Sequence, residues 1–324
     1  MIFCFASQLG LRLLSVLTGL SVFWIVVTHG FYQPLPGLIY ANNNQQSLYR
    51  WRADCPSLLT TCVNEERLLD GLHLHPVAQW APDGNFIAVF LEDGWAIYPV
   101  DCLLGDEACK SARLELSAND NRIAWGPDGS TLAYIADSSS GELKILTRGC
   151  WDKSLQQPCL RQSIDVLPGG VLRQVTWSAD GSQFAFQGLR PSGLYVLDSA
   201  CLDEPETCSD VLRTVAVPST PVYWPSLSAH GDYILYFATT VEGVEQLYIS
   251  DVNRDHIQQI TFRSGGAIVP VWSINGRYIA FAGFQTRSSG DLGIFILDTE
   301  RRLIARAILQ QGQDLIYPSW SPRP

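Results

Sequence analysis

The chain has 324 residues, of which 47% are hydrophobic and only 17% charged, and its formal net charge is −10. This acidic balance argues against a protein that neutralises a nucleic-acid backbone with a basic surface. The low charge and the 11% of aromatic residues argue against a disordered or coiled-coil chain. The length is sufficient for one large domain or two ordinary ones.

An apolar segment lies near the N-terminus. Residues 13–32 contain no formally charged side chain, and a helix of about 20 residues can cross a bilayer core. Arg12 precedes the segment and the next Lys or Arg is Arg50, so the positive-inside rule places residues 1–12 in the cytoplasm. A cleaved signal peptide is the alternative, because residues 13–27 also have the length of a signal-peptide core. We predict a transmembrane anchor over residues 13–32 and an extracytoplasmic domain over residues 33–324.

Eight of the nine cysteines follow this segment and fall into four close pairs. Three pairs are spaced C-x6-C and one C-x8-C, which differs from zinc sites and from C-x-x-C redox motifs. Evenly paired cysteines outside the membrane favour local disulfides, with reduced core cysteines as the alternative. The predicted bridges are Cys55–Cys62, Cys102–Cys109, Cys150–Cys159 and Cys201–Cys208.

A repeat follows the apolar segment. Each copy has a tryptophan or leucine anchor, a tight turn such as Asp-Gly or Asn-Gly, and an alternating apolar strand, which is typical of β-hairpins. The anchors recur every 45 to 52 residues: they are Trp80, Trp125, Trp177, Leu227, Trp272 and Trp320. This period is typical of propeller blades. We assign the tryptophans to packing between blades, and the recurring Asp83, Asp128 and Asp180 to backbone hydrogen bonding in turns rather than to catalysis.

Each full repeat contains four β-patterned segments, which we name strands a, b, c and d. Residues 38–70 supply strands b, c and d, and the C-terminal segment LIYPSWSPRP supplies a strand a. We therefore predict an all-β fold, a six-bladed propeller whose ring is closed by the C-terminal strand, with Trp320 in the innermost strand of blade 1. The cysteine pairs fall in the c–d connections.

One copy of the repeat carries a family resemblance. The segment IQQITFRSGGAIVPVWSINGRYIAF, residues 257–281, resembles the repeat of TolB-type, WD-like propellers, in which a strand ending in Leu-Thr precedes P-x-W-S-P-D-G-R-x-I-A-F. The resemblance covers about residues 73–323 and implies the propeller fold.

The expected binding site of a propeller is the mouth of its central channel, lined by strand a and by the d–a and b–c connections. The candidate innermost strands contain the charged residues Arg122 and Arg173 but no carboxylate, which disfavours a glycosidase or a calcium-dependent hydrolase. Together with Arg263, these arginines form a candidate rim for an acidic peptide or glycan, with ordinary surface arginines as the alternative. His73 and His75 could ligate a metal or could be solvated loop residues. We predict no catalytic residue, metal or cofactor.

These observations together predict a membrane-anchored, extracytoplasmic propeller that acts as a binding or scaffold module of the cell envelope. Its partner would be an envelope protein, a peptide or a glycan, and its N-terminal helix would hold it in the membrane. The alternative is a hydrolase or lyase with its site at the channel mouth.

Overall fold

The computed structural model describes residues 12–18, 21–27, 37–52, 64–70, 72, 77–91, 94–103, 112–114, 123–135, 140–284 and 290–322. Two strands precede the propeller, β1 (Arg12–Thr18) and β2 (Ser21–Val27), and they pair antiparallel. These strands overlap the segment for which we predicted a transmembrane helix, and the structure does not show that helix. Among the described residues, no helix has the length and apolar character needed to cross a membrane.

Six four-stranded antiparallel sheets form the propeller in the described part of the chain. Blade 1 contains β3 (Leu38–Asn42), β4 (Ser47–Arg52) and β5 (Asn64–Leu69). Blade 2 contains β6 (Ala78–Trp80), β7 (Phe86–Leu91), β8 (Gly94–Pro99) and β9 (Ala112–Leu114). Blade 3 contains β10 (Ile123–Trp125), β11 (Thr131–Ile135), β12 (Glu142–Thr147) and β13 (Arg161–Asp165).

The remaining blades follow the same order. Blade 4 contains β14 (Val171–Trp177), β15 (Gln183–Arg190), β16 (Ser192–Asp198) and β17 (Arg213–Val215). Blade 5 contains β18 (Val222–Leu227), β19 (Tyr233–Thr239), β20 (Glu245–Asp251) and β21 (Ile257–Gln259). Blade 6 contains β22 (Ile268–Trp272), β23 (Tyr278–Phe284), β24 (Leu292–Asp298) and β25 (Leu303–Ile308). Two one-turn helices, α1 (Val100–Leu103) and α2 (Cys208–Val211), lie in described c–d connections.

The C-terminal strand closes the ring, as predicted. The last strand, β26 (Leu315–Trp320), pairs with β3 and becomes strand a of blade 1. Trp320 is buried there, and its indole N–H donates to the carbonyl oxygen of Val271 in the neighbouring blade at 3.2 Å. The β-ladder therefore joins the two ends of the propeller within blade 1, and the Trp320 side chain links that blade to blade 6.

Two of the predicted disulfides are present, in the c–d connections of blades 3 and 4. They join Cys150 to Cys159, with 4.3 Å between the Cα atoms, and Cys201 to Cys208, with 5.1 Å. Cys102 is also disulfide-bonded. Its predicted partner Cys109, and the predicted pair Cys55 and Cys62, lie outside the described residues.

The turns between strands a and b use the predicted side chains. The carboxylates of Asp83, Asp128 and Asp180 each accept the backbone N–H two residues ahead, at 2.9, 2.9 and 3.0 Å. Asn275 does the same in blade 6 at 3.1 Å. The glycine that follows has a positive φ, for example 77° at Gly181, which a residue without Cβ adopts at little cost. The structural role assigned to these aspartates is confirmed.

The connections divide into two faces. The a–b turns meet the c–d connections on one of them, the lower face, where the backbone N–H of Ser199 donates to the carbonyl of Ser182 at 2.9 Å. The b–c turns meet the d–a connections on the other, the upper face, where the N–H of Ala267 donates to the carbonyl of Glu245 at 2.8 Å. Strand a of every blade runs from the upper to the lower face, so corresponding residues of the six blades lie at one level of the channel.

Candidate functional site: the channel cavity

A cavity of about 330 Å³ occupies the central channel, a volume at the small end of ligand pockets. All six innermost strands line it, and none of the described residues in its wall is charged. Six tryptophans belong to that wall: Trp80, Trp125, Trp177, Trp224, Trp272 and Trp320. Five of these are anchors that we assigned to packing between blades, and they also line the cavity; Trp224 is the sixth.

The cavity opens on the lower face through an apolar ring, which we call the collar. The collar consists of the residue two positions after each anchor: Pro82, Pro127, Ala179, Ala229, Ile274 and Pro322. Ile274 is 47% exposed, whereas Val77 and Val269 at the far end of the cavity are only 4% and 6% exposed. This difference in exposure places the mouth at the collar.

Four innermost strands carry a β-bulge three residues before the anchor position. The register slips there in β14, β18, β22 and β26. The extra residues have left-handed backbone: they are Gln174 (φ 47°), Trp224 (60°), Val269 (52°) and Tyr317 (57°). A non-glycine residue in this region costs about 1–2 kcal/mol, so local preference does not explain the bulges. Trp224, Val269 and Tyr317 all line the cavity.

An aromatic pair formed by two bulge residues, Trp224 and Tyr317, narrows the end of the cavity that lies away from the collar. The rings of Trp224 and Tyr317 stack with their centroids 5.3 Å apart and their planes 28° from parallel. They come from blades 5 and 1, which are separated by blade 6. The backbone N–H of Trp224 donates to Oε1 of Gln174 at 2.8 Å, which ties two bulges together. Burial raises the pKa of the Tyr317 hydroxyl, so it stays neutral.

Four serine hydroxyls of the wall form hydrogen bonds with other groups of the protein. Oγ of Ser319 accepts the backbone N–H of Trp80 at 3.2 Å, and Oγ of Ser226 accepts that of Trp272 at 3.3 Å, so both link neighbouring blades. Two further wall serines donate to turn side chains: Ser178 to Asp180 at 2.8 Å and Ser273 to Asn275 at 2.7 Å. In these bonds Ser226 and Ser319 act only as acceptors, and the wall also contains Gln79 and Thr176, so polar groups remain at the cavity surface.

The indole N–H groups are also directed away from the open space. Those of Trp177 and Trp320 donate to the backbone carbonyls of Gly181 and Val271 at 3.0 and 3.2 Å. Those of Trp80, Trp125 and Trp272 are shielded from solvent and find no acceptor among the described residues. Five of the six rings therefore turn their N–H away from the open space of the cavity.

Comparison with known proteins identifies the architecture. No family model matches the chain, and no curated protein matches it. Among solved structures, TolB from Acinetobacter baumannii is 17% identical with a TM-score of 0.64, over 88% of this chain and 66% of that one. A protein assigned as TolB from Agrobacterium tumefaciens is 18% identical with a TM-score of 0.58, over 89% and 94%. A chain of a nidogen–laminin complex is 10% identical with a TM-score of 0.60, over 88% and 98%.

The chain has a TolB-type propeller fold. The identities are low enough that the likeness concerns the fold alone, and this chain spans 66% of the length of the Acinetobacter protein.

Acidic side chains lie beside the collar on blades 2 to 4. The carboxylate of Asp83 pairs with the Arg148 guanidinium at 2.9 Å. Hydrogen bonds from the backbone N–H and the hydroxyl of Ser130 lower the pKa of Asp128. Partial burial acts to raise the pKa of Asp180, but hydrogen bonds that include those from Ser182 outweigh it and hold that pKa at about 2. This side of the collar is therefore negative at neutral pH.

The two described arginines of the predicted rim lie toward the upper face, at the end where the d–a and b–c connections meet, and not at the collar. Arg173 is exposed in the upper half of β14, and Arg263 lies in the d–a connection before β22. The Arg263 guanidinium lies 3.7 Å from the ring centre of Phe295 and donates to the carbonyl of Phe284 at 2.9 Å. Neither arginine lines the cavity. Arg122 lies outside the described residues, as do His73 and His75.

The tryptophan-lined cavity was not predicted, although blade 5 contains a sequence feature that points to it. In blade 5 the anchor is Leu227, and the nearby tryptophan stands three residues earlier, at the bulge position. The collar was visible too, since Pro, Ala or Ile occupies the third position of each repeat. No described group of three or more His, Cys, Asp or Glu residues could hold a metal ion.

Proposed function

We propose that this propeller is an extracytoplasmic, membrane-attached binding module whose site is the channel cavity. The observation that carries the proposal is the uncharged, tryptophan-rich wall behind an open apolar collar. Apolar surface of this kind binds a ligand by removing hydrocarbon from water. The described wall supplies shape and aromatic surface rather than acid–base groups, which favours binding over hydrolase or lyase chemistry.

The disulfides support an extracytoplasmic location. Cys150, Cys201 and Cys208 are buried, and two bridges close short loops on the lower face. Structural disulfides form and persist outside the reducing cytosol. The propeller would then lie in the periplasm or outside the cell.

The apolar N-terminal segment supports membrane attachment. Residues 13–32 carry no formal charge. A two-stranded hairpin such as β1–β2 has unpaired backbone groups along both outer edges, which a bilayer core does not tolerate. Insertion across the bilayer would therefore require these residues to become helical, with residues 1–12 on the cytoplasmic side.

Site-specific crosslinking in native membranes tests both parts of the proposal. A photoreactive amino acid is placed in the collar, at Ala179 or Ile274, in the full chain. We expect collar crosslinks to a partner or ligand, in protein that stays in the membrane pellet after a carbonate wash. The matched control is Val241, which is 96% exposed in a turn on the upper face. Crosslinks from Val241 alone would contradict the assigned site, and release by carbonate would contradict membrane attachment.

A further inference from the structure

We propose that the cavity binds a small uncharged saccharide, free or at the end of a glycan, which enters through the collar. This inference rests on the proposed function and names the ligand class of the same site. It combines the arrangement of polar and apolar residues around the channel, the hydrogen bonds that the polar residues can still form, and the lack of charged residues in the described wall.

A layer of six residues, which we call the belt, surrounds the cavity one position before the anchors. Corresponding residues of the six blades lie at one level of the channel, and every belt residue lines the cavity. Four belt residues are polar, and the two apolar ones belong to blades 3 and 6, which face each other across a six-bladed ring. From blade 1 to blade 6 the belt consists of Ser319, Gln79, Ala124, Thr176, Ser226 and Val271.

The polar belt residues keep hydrogen-bonding groups for a ligand. The side chains of Gln79 and Thr176 are half-buried and form no hydrogen bond with another described residue. The hydroxyls of Ser226 and Ser319 accept a backbone N–H from the neighbouring blade, so each retains its own proton for donation. Ser226 is only 5% exposed, and a donor at that depth is stabilised by an acceptor on the ligand. Blades 1, 2, 4 and 5 therefore offer both donors and acceptors.

Tryptophans extend the two apolar sides of the belt. The anchors that directly follow Ala124 and Val271 are Trp125 and Trp272, and both line the cavity. Their indole N–H groups are shielded from solvent, so these side chains add aromatic carbon to the wall. A pyranose ring carries C–H groups on its two faces and hydroxyls around its perimeter. Its faces match the apolar sides at blades 3 and 6, and its hydroxyls match the polar residues between them.

The shape and charge of the cavity favour a saccharide over a peptide. The stacked rings of Trp224 and Tyr317 narrow the end of the cavity away from the collar, so a chain molecule enters with one of its ends leading. The end of a peptide carries a charged amino or carboxyl group, and the described wall has no charged residue to pair with it. The end of a neutral glycan carries hydroxyls, which the belt can both donate to and accept from.

The charge beside the collar selects among saccharides. Asp128 and Asp180 directly follow the collar residues Pro127 and Ala179, and both are exposed and ionised at neutral pH. A sugar acid, such as a uronic acid, would be repelled by these carboxylates on entry. The ligand is therefore an uncharged saccharide.

A glycan array tests the inference with the full chain, labelled with a fluorophore and kept in mild detergent. The array carries neutral glycans, acidic glycans that end in a uronic or sialic acid, and a set of short peptides. We expect binding to a subset of the neutral glycans and background signal on the acidic ones. Binding to no glycan, or to acidic glycans alone, overturns the inference.

Matched substitutions test the role of the belt. Thr176→Val removes a belt hydroxyl and keeps the side-chain shape, and Thr214→Val makes the same change at an exposed position of β17. We expect Thr176→Val to weaken binding to the neutral glycans about three- to tenfold, because one hydrogen bond to the ligand is lost. Thr214→Val should leave the affinity unchanged. Equal affinities of the two variants overturn the assignment of the belt as the binding layer.

Filling the collar tests the route of entry. Ala179→Phe with Ala229→Phe narrows the mouth, and the signal on the neutral glycans should fall to background. Val241→Phe adds the same ring on the upper face and should leave that signal unchanged. Glycan binding that survives the filled collar overturns the cavity as the site, even if the variant proteins fold normally.

Titration with free disaccharides distinguishes the two sources of the ligand. Six tryptophans line the cavity, so the intrinsic fluorescence of the full chain reports its occupation. Disaccharides that correspond to the ends of the bound glycans should change this fluorescence if a free sugar suffices, whereas binding on the array alone identifies a glycan as the source. If collar crosslinks and carbonate resistance are observed but only the printed peptides bind, or nothing on the array binds, the saccharide is overturned while the proposed function stands.

Discussion

On the lower face, single aspartates both stabilise the a–b turns and supply the negative charge beside the collar. Asp180 accepts hydrogen bonds from the backbone N–H and hydroxyl of Ser182 and from the hydroxyl of Ser178. These bonds favour the ionised carboxylate, and the pKa of about 2 lies below the ordinary value of 3.8. Asp180 therefore contributes stability that is fully present above about pH 4 and is lost as the pH falls toward 2.

The variant Asp180→Asn should flatten this acid dependence. Asparagine keeps an acceptor for the turn, as Asn275 does in blade 6, so we expect a cost at pH 7 of only about 0.5–1 kcal/mol. The free energy of unfolding, measured between pH 2 and 5, should depend less steeply on pH than in the unchanged protein. Superimposable pH profiles would show that the carboxylate is not stabilised as described.

The bulge residues offer a direct measure of backbone strain. Trp224 has a φ of 60°, which glycine adopts freely and alanine does not. Both Trp224→Gly and Trp224→Ala lose the stack on Tyr317. The difference between their free energies of unfolding therefore reports the backbone strain at this position. We expect the glycine variant to be more stable than the alanine variant by about 1 kcal/mol in denaturant unfolding. An alanine variant as stable as the glycine variant would exclude strain at this bulge.

At the level of elements, the disulfides stabilise the long c–d connections. The bridge Cys201–Cys208 closes a loop with a sequence separation of 7, for which chain entropy gives about 2.5 kcal/mol. Replacing both cysteines by serine should lower the free energy of unfolding by about 2 kcal/mol and leave the other blades folded. Reduction of the unchanged protein should lower this free energy further, because it also opens the Cys150–Cys159 bridge and the bridge of Cys102. Peptide mapping without reductant should show the Cys201–Cys208 link. A bridge between different blades would contradict the assignment.

The strands and turns were predictable from sequence because their causes are local. An Asp-Gly turn followed by alternating apolar residues specifies a hairpin wherever it occurs, and its recurrence specified the blades. The bulges at Gln174 and Val269 were not predictable, because their left-handed backbone opposes the local preference of these residues. The collar was missed for a different reason: Pro127 and Ala179 look like ordinary turn residues until the ring brings six such positions together.

At the scale of the whole molecule, ring closure determines the site. Six parallel inner strands bring one collar residue per blade to the lower face, where the chain also enters at Gly37. Arg173 and Arg263 lie toward the upper face, the end at which the sequence predicted the channel mouth, and their role as a ligand-binding rim stays a prediction. A propeller built of five closed blades and one open one would have neither a complete wall nor a complete collar.

Removal of the C-terminal strand tests this dependence. Deleting residues 315–324 takes away strand a of blade 1, including Leu315, Ile316 and Trp320, which are 0%, 7% and 4% exposed. Their burial contributes about 6–8 kcal/mol as an upper estimate, against a net stability of about 5–15 kcal/mol for a domain. The deletion also leaves the inner edge of β3 unpaired, so we expect the whole ring to unfold or aggregate. The milder Trp320→Ala should cost about 3–5 kcal/mol and keep the ladder, which separates the loss of one side chain from the loss of the strand. A deleted protein that keeps its Tm within a few degrees would show that β26 does not hold the ring closed.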